Sequence, residues 1–409
     1  MLRWIIFIIV YLVLGFYTLQ AIKAGTRYPW VHYTFIVISL LVLGNFIYQF
    51  TFGATDGRVL SRPKSYALGF LLTVVTFKII TVVFLLSEDL FRLLSGSYQK
   101  VFGIDKTFTF PERRRFLSLM AMGIAAVPFG GLLYGMYKGK YNFKVLKYNL
   151  EFDDLPDAFD GYQITQISDV HSGSFDNREK IVYAIDLINK QKSDVLLFTG
   201  DLVNNKAEEM HPWKELFSTL EAKDGKFSIL GNHDYGDYVD WNTEEEKAEN
   251  LEDLKKLQKE IGFELLLNDS RYLTKGNDKI ALIGVENWGR GGFKKAGDLK
   301  KATKNIHKND FKILLSHDPS HWEDKVLHDD DHYHLTLSGH THGMQFGIEI
   351  PGWIKWSPVK WRYKYWAGIY QELGQYINVN RGFGFLGYPG RVGIWPEITV
   401  ITLKKKNLT

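Results

Sequence analysis

Ser338-Gly339-His340-Thr341-His342-Gly343 sets two imidazoles one residue apart between glycines, directly after the apolar run Leu335-Thr336-Leu337. The run reads as a strand and the rest as the loop leaving it. Imidazole is the commonest metal-ligating side chain, and a short glycine-flanked loop can aim two rings at one place without crowding. Alone the pair is a weak signal, because exposed His-x-His is a common coincidence. Four upstream stretches change that. Asp169-Val170-His171, Thr199-Gly200-Asp201, Gly231-Asn232-His233-Asp234 and Ser316-His317-Asp318 each close a short apolar run. Ligands collected at the carboxyl ends of successive strands are how an open α/β sheet builds a site. Oxygen and imidazole donors without thiolate suit Mn²⁺, Fe²⁺ or Zn²⁺.

The elements that must carry these loops are readable in order. Lys144 to Phe152 alternates as an edge strand should, within a linker of residues 141–160. Tyr162 to Ser168, Val195 to Phe198, Lys226 to Leu230, Lys312 to Leu315 and Leu335 to Leu337 are the strands before the five loops. Val195 to Phe198 is apolar throughout, as for a strand buried on both faces. Ile181, Ala184, Ile185 and Ile188 give Arg178 to Gln191 a helical face, and Thr243 to Ile261 is a charged amphipathic helix. Short strands follow at Glu264–Leu267, Tyr272–Thr274, Lys279–Val285, Gln375–Val379 and Glu397–Leu403. Strands that first alternate with helices and later cluster predict two packed sheets with helices outside, a layered α/β sandwich over residues 161–409.

Residues 1–140 are of another kind. Runs near 4–22, 31–53, 65–87 and 116–137 are uncharged except for Lys78, and each can cross roughly 30 Å of hydrocarbon as a helix. An all-α region of about four transmembrane helices is expected. Lys78 falls in the middle of the third, where a lysine either serves a function, such as holding a lipid phosphate, or snorkels out. Pro128 with Gly130-Gly131 predicts a kink in the fourth. Arg113-Arg114-Arg115-Phe116-Leu117 resembles a twin-arginine export pattern, and basic residues are retained inside. Both place the following domain outside the cytoplasm, although Lys138, Lys140, Lys144 and Lys147 on the far side weaken the asymmetry. The net charge of +4 gives no global case for nucleic acid. The absence of cysteine excludes disulfides, thiolate metal sites and cysteine nucleophiles.

In order from Asp169 to His342, Asp-x-His, Gly-Asp, Gly-Asn-His-Asp, His and Gly-His-x-His resemble the five-block signature of the calcineurin-like metallophosphoesterases. Asn380-Arg381-Gly382-Phe383-Gly384 and Pro396-Glu397-Ile398-Thr399 are similar to the closing segment of a bacterial membrane-anchored phosphodiesterase branch of that superfamily. The resemblance implies an α-β-β-α sandwich and a binuclear hydrolase of phosphoric esters or acid anhydrides. It implies that Asp169, His171, Asp201 and His342 hold one divalent ion. Asp201, Asn232, His317 and His340 would hold the second, with the Asp201 carboxylate bridging. Two such ions against the Asp169 and Asp201 carboxylates leave about +2, which favours a bridging hydroxide and an anionic phosphate in line. The resemblance gives His233 the role of protonating the leaving oxygen or stabilising the transition state, with Asp234 orienting its ring.

Other residues carry less. His332 and His334, a second His-x-His, precede a strand rather than follow one and read as a solvated loop, as do His321 and His328. Arg381 and Arg391, in glycine-rich turns, are candidates to clamp a substrate phosphate. Trp and Tyr interleave with Lys and Arg over residues 351–366, which fits a bilayer interface or a flap packed on the sandwich better than a nucleic-acid site. Together these features predict a multi-pass protein, of a bacterial inner membrane, hydrolysing phosphodiester or pyrophosphate bonds of an amphiphilic or lipid-linked substrate. Some relatives in the branch cleave the pyrophosphate of UDP-2,3-diacylglucosamine in lipid A synthesis. That activity needs the cytoplasmic face and stands as an alternative, beside a non-catalytic membrane scaffold.

Overall fold

The four apolar runs fold as helices α1 (Leu2–Gly25), α2 (Pro29–Phe52), α3 (Arg62–Val101) and α4 (Pro111–Tyr137). They come from a computed structural model that describes residues 2–53, 59–102, 111–350 and 352–406. Pro351, the first residue of the aromatic stretch, lies outside the described residues. Each helix is long and apolar enough to cross a membrane. α2 starts on Pro29, at a first-turn position where a missing N–H costs nothing. Pro128 is accommodated inside α4. α3 is longer than the apolar run inside it. Its 40 residues measure about 60 Å, twice the hydrocarbon thickness, and the excess carries Glu88, Asp89 and Arg92. Lys78 does not snorkel. It is fully buried among the helices, where Nζ donates to Ser39 Oγ at 2.6 Å and lies 3.2 Å from the centroid of the Tyr11 ring. A hydroxyl and an aromatic face together satisfy the ammonium without a carboxylate.

The chain divides into two units, Met1–Thr55 with Ser61–Tyr137, and Asp56–Leu60 with Lys138–Thr409. The second contains two six-stranded sheets. The first sheet comprises β1 (Lys144–Phe152), β2 (Gln163–Ile167), β3 (Val195–Phe198), β4 (Lys226–Ser228), β5 (Glu264–Leu265) and β14 (Glu397–Lys405), in the order β1-β14-β2-β3-β4-β5. The second comprises β6 (Asp269–Lys275), β7 (Asp278–Gly284), β8 (Lys312–Leu315), β9 (Leu335–Ser338), β12 (Gly368–Glu372) and β13 (Gln375–Val379), in the order β12-β13-β9-β8-β7-β6. A separate hairpin joins β10 (Ile348–Ile350) to β11 (Ile354–Trp356). β1 is an edge strand, as its alternation predicts. It pairs in parallel with β14 from Lys144↔Glu397 to Phe152↔Lys405, so the sandwich starts before residue 161. A pairing to the far end of the chain leaves no local trace in sequence.

Alternation along the strands builds the layers. Val195 and Leu197 of β3 point between the sheets with Ile164, Leu282, Ile313, Leu315, Leu335 and Leu337. Leu196 and Phe198 point the other way, onto Ile181, Ile185 and Ile188 of α5 (Arg178–Asn189), Phe217 of α6 (Lys214–Ser218) and Leu254 and Leu257 of α7 (Glu244–Glu260). On the outer face of the second sheet, Ile283, Leu314, Ile377 and Val379 pack with Leu299, Trp322 and Val326. Asn177 and Thr243 cap the two longer helices through Lys180 N and Glu246 N. The result is a helix–sheet–sheet–helix sandwich. Two histidines read as solvated are inside it. His321 is 2% exposed, bonded through Nδ1 to Ser316 Oγ at 2.8 Å and stacked on Trp288. His334 is also buried, between the backbone N–H of Lys312 and the Asp154 carboxylate.

Candidate metal centre

β2, β3 and β4 run parallel in one sheet, β8 and β9 in the other, and the loops after them converge. Asp169, His171 and His342 form one group of potential ligands, and Asp201, His317 and His340 a second. His342 Nε2 is 3.2 Å from Asp169 Oδ1 and 3.1 Å from His171 Nε2. Asp201 Oδ2 reaches into both groups, 3.2 Å from His317 Nε2 and 3.7 Å from His171 Nε2. Asn232 Oδ1 lies 2.8 Å from His340 Nδ1 and so joins the second group.

The backbone is held away from its preferred conformation here. Asp169, His171, Asp201, His340 and His342 all have positive φ, between 46° and 71°. For residues with a Cβ this costs about 1–3 kcal/mol each and persists only where the surroundings fix it. The loops tie one another down: Asp169 N donates to Gly200 O, His171 N to Asp201 O, Gly339 N to His317 O and Gly384 N to Asp169 O. The glycines before the ligands are needed for close approach. A Cβ on Gly231 would run into the Asp201 carboxylate, and one on Gly339 into Ser168 and Asp169.

A second layer of contacts sets the rings. His317 Nδ1 donates to Thr199 O at 2.7 Å, which turns Nε2 toward Asp201. His340 Nε2 lies 2.8 Å from Tyr363 Oη and 3.3 Å from Asp318 Oδ2, which turns Nδ1 toward Asn232. Asn232 Nδ2 donates to Tyr238 Oη at 2.9 Å. Burial pushes the imidazoles of His171 and His340 below their ordinary pKa, toward the neutral form that binds metal, and lowers His233 in the same direction. Burial acts the same way on His317, but the Asp201 carboxylate overrides it and holds that ring at about 10. Burial would raise Asp169, and the His342 imidazole more than offsets it, keeping the carboxyl well below its usual range. His171 Nδ1 and His317 Nε2 are buried with no hydrogen-bond partner among the described residues. His317 Nε2 and His342 Nε2 each face a carboxylate oxygen at 3.2 Å, a donor set that suits cations, so the seven side chains suit two divalent ions.

Three expected roles take a different form. Asp234 does not touch the His233 ring. Its carboxylate accepts from the backbone N–H groups of Asp201, Leu202 and Gly231, and so locks the Gly200–Asp201 turn to the Gly231 turn. The ring of His233 is oriented instead by Asn204 O, 2.7 Å from Nδ1. Arg381 is 3% exposed and lies between Glu349 and Glu397. Arg391 is fully buried, donates to Gly384 O and lies behind His342, with Nη2 3.3 Å from Nδ1. Arg381 is thus held by two carboxylates and Arg391 by a backbone carbonyl. Arg381→Ala is therefore expected to leave Glu397 buried and unpaired at a cost of about 3–5 kcal/mol. It should lower the thermal midpoint strongly while leaving the KM of the folded fraction nearly unchanged.

Asn204, Tyr238, Asp318 and Tyr363 escaped the sequence reading. Asp318 follows His317 directly and might have been suspected from that alone, but the other three meet the site only through tertiary folding. Asp201, Asn232, His233, Tyr238, Phe293, His340, His342 and Leu386 line a cavity of about 450 Å³ above the ligands. Its floor is polar and its walls include two aromatic rings and an aliphatic side chain.

Two family models match this chain, one in each of its two parts. Residues 162–344 match the family model "Calcineurin-like phosphoesterase", and residues 2–140 match "Probable Calcineurin-like phosphoesterase, transmembrane domain". An uncharacterized metallophosphoesterase of Bacillus subtilis (strain 168), YkuE, is 32% identical over 303 residues, 72% of this chain and 99% of the relative. An uncharacterized metallophosphoesterase of Aquifex aeolicus (strain VF5) is 28% identical over 68% of this chain and 99% of its own. A transmembrane protein with metallophosphoesterase domain of Danio rerio is 26% identical over 72% of this chain and 63% of its own.

Proposed function

The chain belongs to the calcineurin-like metallophosphoesterases with a four-helix transmembrane domain, and from that premise we propose that it is a membrane-anchored, two-metal hydrolase of phosphodiester or pyrophosphate bonds. The observation that carries the reading is Asp201 Oδ2, one carboxylate oxygen shared by both ligand groups. Divalent ions held there would polarise a phosphoryl oxygen and make water a stronger nucleophile at neutral pH. The remaining chemistry falls to the protein's own groups. Asp169, Asp201, Asn232 and the four ligating histidines hold the charge in a dry, preorganised place. His233 lines the cavity with its Nδ1–H committed to Asn204 O, so Nε2 is the atom that takes up a proton from water to give the imidazolium and then passes it to the leaving oxygen. Tyr238, Phe293 and Leu386 supply an apolar wall, which suits a substrate with a lipid-like portion next to its phosphate.

A scaffold without activity has no use for seven convergent ligands, five of them held in costly backbone conformations. Mn²⁺, Fe²⁺ and Zn²⁺ all suit the donor set. Dialysis of the detergent-solubilised protein against a chelator is expected to abolish hydrolysis of bis(p-nitrophenyl) phosphate, and readdition of one of these ions to restore it. Activity that survives complete metal removal would end the two-metal reading. For location, the Arg113-Arg114-Arg115 triplet in the first turns of α4 supports an extracytoplasmic catalytic unit anchored in a bacterial inner membrane. Protease added to intact spheroplasts should then digest residues 138–409, and full protection would place the unit inside and favour cleavage of a cytoplasmic lipid-linked pyrophosphate.

A further inference from the structure

The hairpin β10–β11 turns the apolar residues of its first strand outward. Its pairs are Ile348↔Trp356, Glu349↔Lys355 and Ile350↔Ile354. Residues opposite one another share a face, so Ile348, Ile350, Ile354 and Trp356 form an apolar face and Glu349 and Lys355 a polar one. The polar face is the one fastened to the protein. Arg381 Nε donates to Glu349 at 3.0 Å, and Lys355 Nζ donates to Ala367 O. On β10 the apolar side chains are turned outward, Ile348 and Ile350 being more exposed than the glutamate between them, while on β11 Ile354 and Trp356 are half-buried and Lys355 is exposed. Trp361 packs edge-on against Trp356 and extends it. Among the described residues of the 138–409 unit, nine large hydrophobic side chains are exposed. Six of them fall in this one stretch: Met344, Phe346, Ile348, Ile350, Trp353 and Trp361. An apolar patch so concentrated marks an interaction surface.

We infer that this hairpin face docks on the interface of a bilayer containing anionic phospholipid. Tryptophan at the tip and isoleucine behind it match the depth profile of an interfacial anchor. Lys360 and Arg362 are exposed beside it, where cations meet lipid headgroups. A second copy of the chain is a poorer occupant, because a symmetric contact through this face would set those cations against their own copies. The chain's four membrane spans keep its second unit within reach of a bilayer at all times. The patch begins at Met344, two residues after the candidate ligand His342. The surface goes beyond the hydrolase reading and does not depend on it.

The chain has no cysteine, so single cysteines can be placed at will. Full-length Trp353→Cys, Trp361→Cys and, as an exposed control elsewhere on the unit, Tyr183→Cys would carry a nitroxide label in nanodiscs of phosphatidylcholine and phosphatidylglycerol. Labels at 353 and 361 should favour collision with dissolved oxygen over a water-soluble nickel complex several-fold more than the label at 183. Lys360→Glu with Arg362→Glu should remove most of that difference. Labels at 353 and 361 as water-exposed as at 183 would overturn the inference. So would dipolar coupling between labels on two copies, which would assign the face to self-association. The readout involves no turnover, so it stands or falls separately from the enzymatic reading.

Discussion

Asp201→Ala is expected to reduce phosphodiesterase activity by at least about 10³-fold and to lower the bound metal below two ions per chain. One carboxylate oxygen lies between His317 and His171, so its removal opens both ligand groups at once. The other oxygen accepts the His233 backbone N–H at 2.8 Å, so the loop that carries the candidate acid loosens too. A metal pair contributes several kcal/mol of transition-state stabilisation, and about 4 kcal/mol corresponds to 10³ in rate. Asp201→Asn separates the effects. The amide keeps the size and can still accept from His233 N, but the site loses a negative charge. Elemental analysis should show Asn retaining more metal than Ala, with activity still deeply reduced. A variant that keeps two ions per chain and wild-type turnover would remove Asp201 from the centre.

Asp201 also shows what a sequence can disclose. A glycine followed by aspartate at the end of a buried apolar run indicates a strand end with room for close approach. Both hold here, since a Cβ on Gly200 would strike the backbone of Gly231 across the gap. The ligand types were legible because each sits on a short local pattern. The strands before them were legible because Val195 to Phe198 and its counterparts are too short and too apolar for anything else. The supporting groups were not. Asn204 is recruited through its backbone carbonyl, which is the same in every residue, and Tyr363 arrives from a stretch whose composition points to surface. Arg381 misled for a related reason. A cation in a glycine-rich turn looks available, and only the fold brings Glu349 and Glu397 to either side of it. The β10–β11 hairpin follows the same rule: alternation gives its two faces, but the face that meets the protein is set by Arg381 and the Ala367 carbonyl.

His233→Ala is expected to keep both metals and lose about 10²–10⁴-fold in kcat, the range for removing a positioned proton donor. The ring belongs to neither ligand group, and its centroid lies 4.9 Å from that of His171 and 4.6 Å from that of Tyr238. A carbonyl cannot donate, so the Asn204 contact requires the proton on Nδ1 and leaves Nε2 toward the cavity. The loss should therefore depend on the leaving group. A p-nitrophenolate departs without help, so bis(p-nitrophenyl) phosphate should lose least, and an alkyl phosphodiester, whose alkoxide must be protonated, should lose most. Asp234→Asn should behave differently. Its carboxylate binds backbone N–H groups of the turns at Asp201 and Gly231, so its replacement should loosen metal binding and lower both substrates alike. Equal losses on both substrates for His233→Ala would argue for a purely electrostatic role of the ring. Unchanged turnover on the alkyl ester would remove His233 from the reaction.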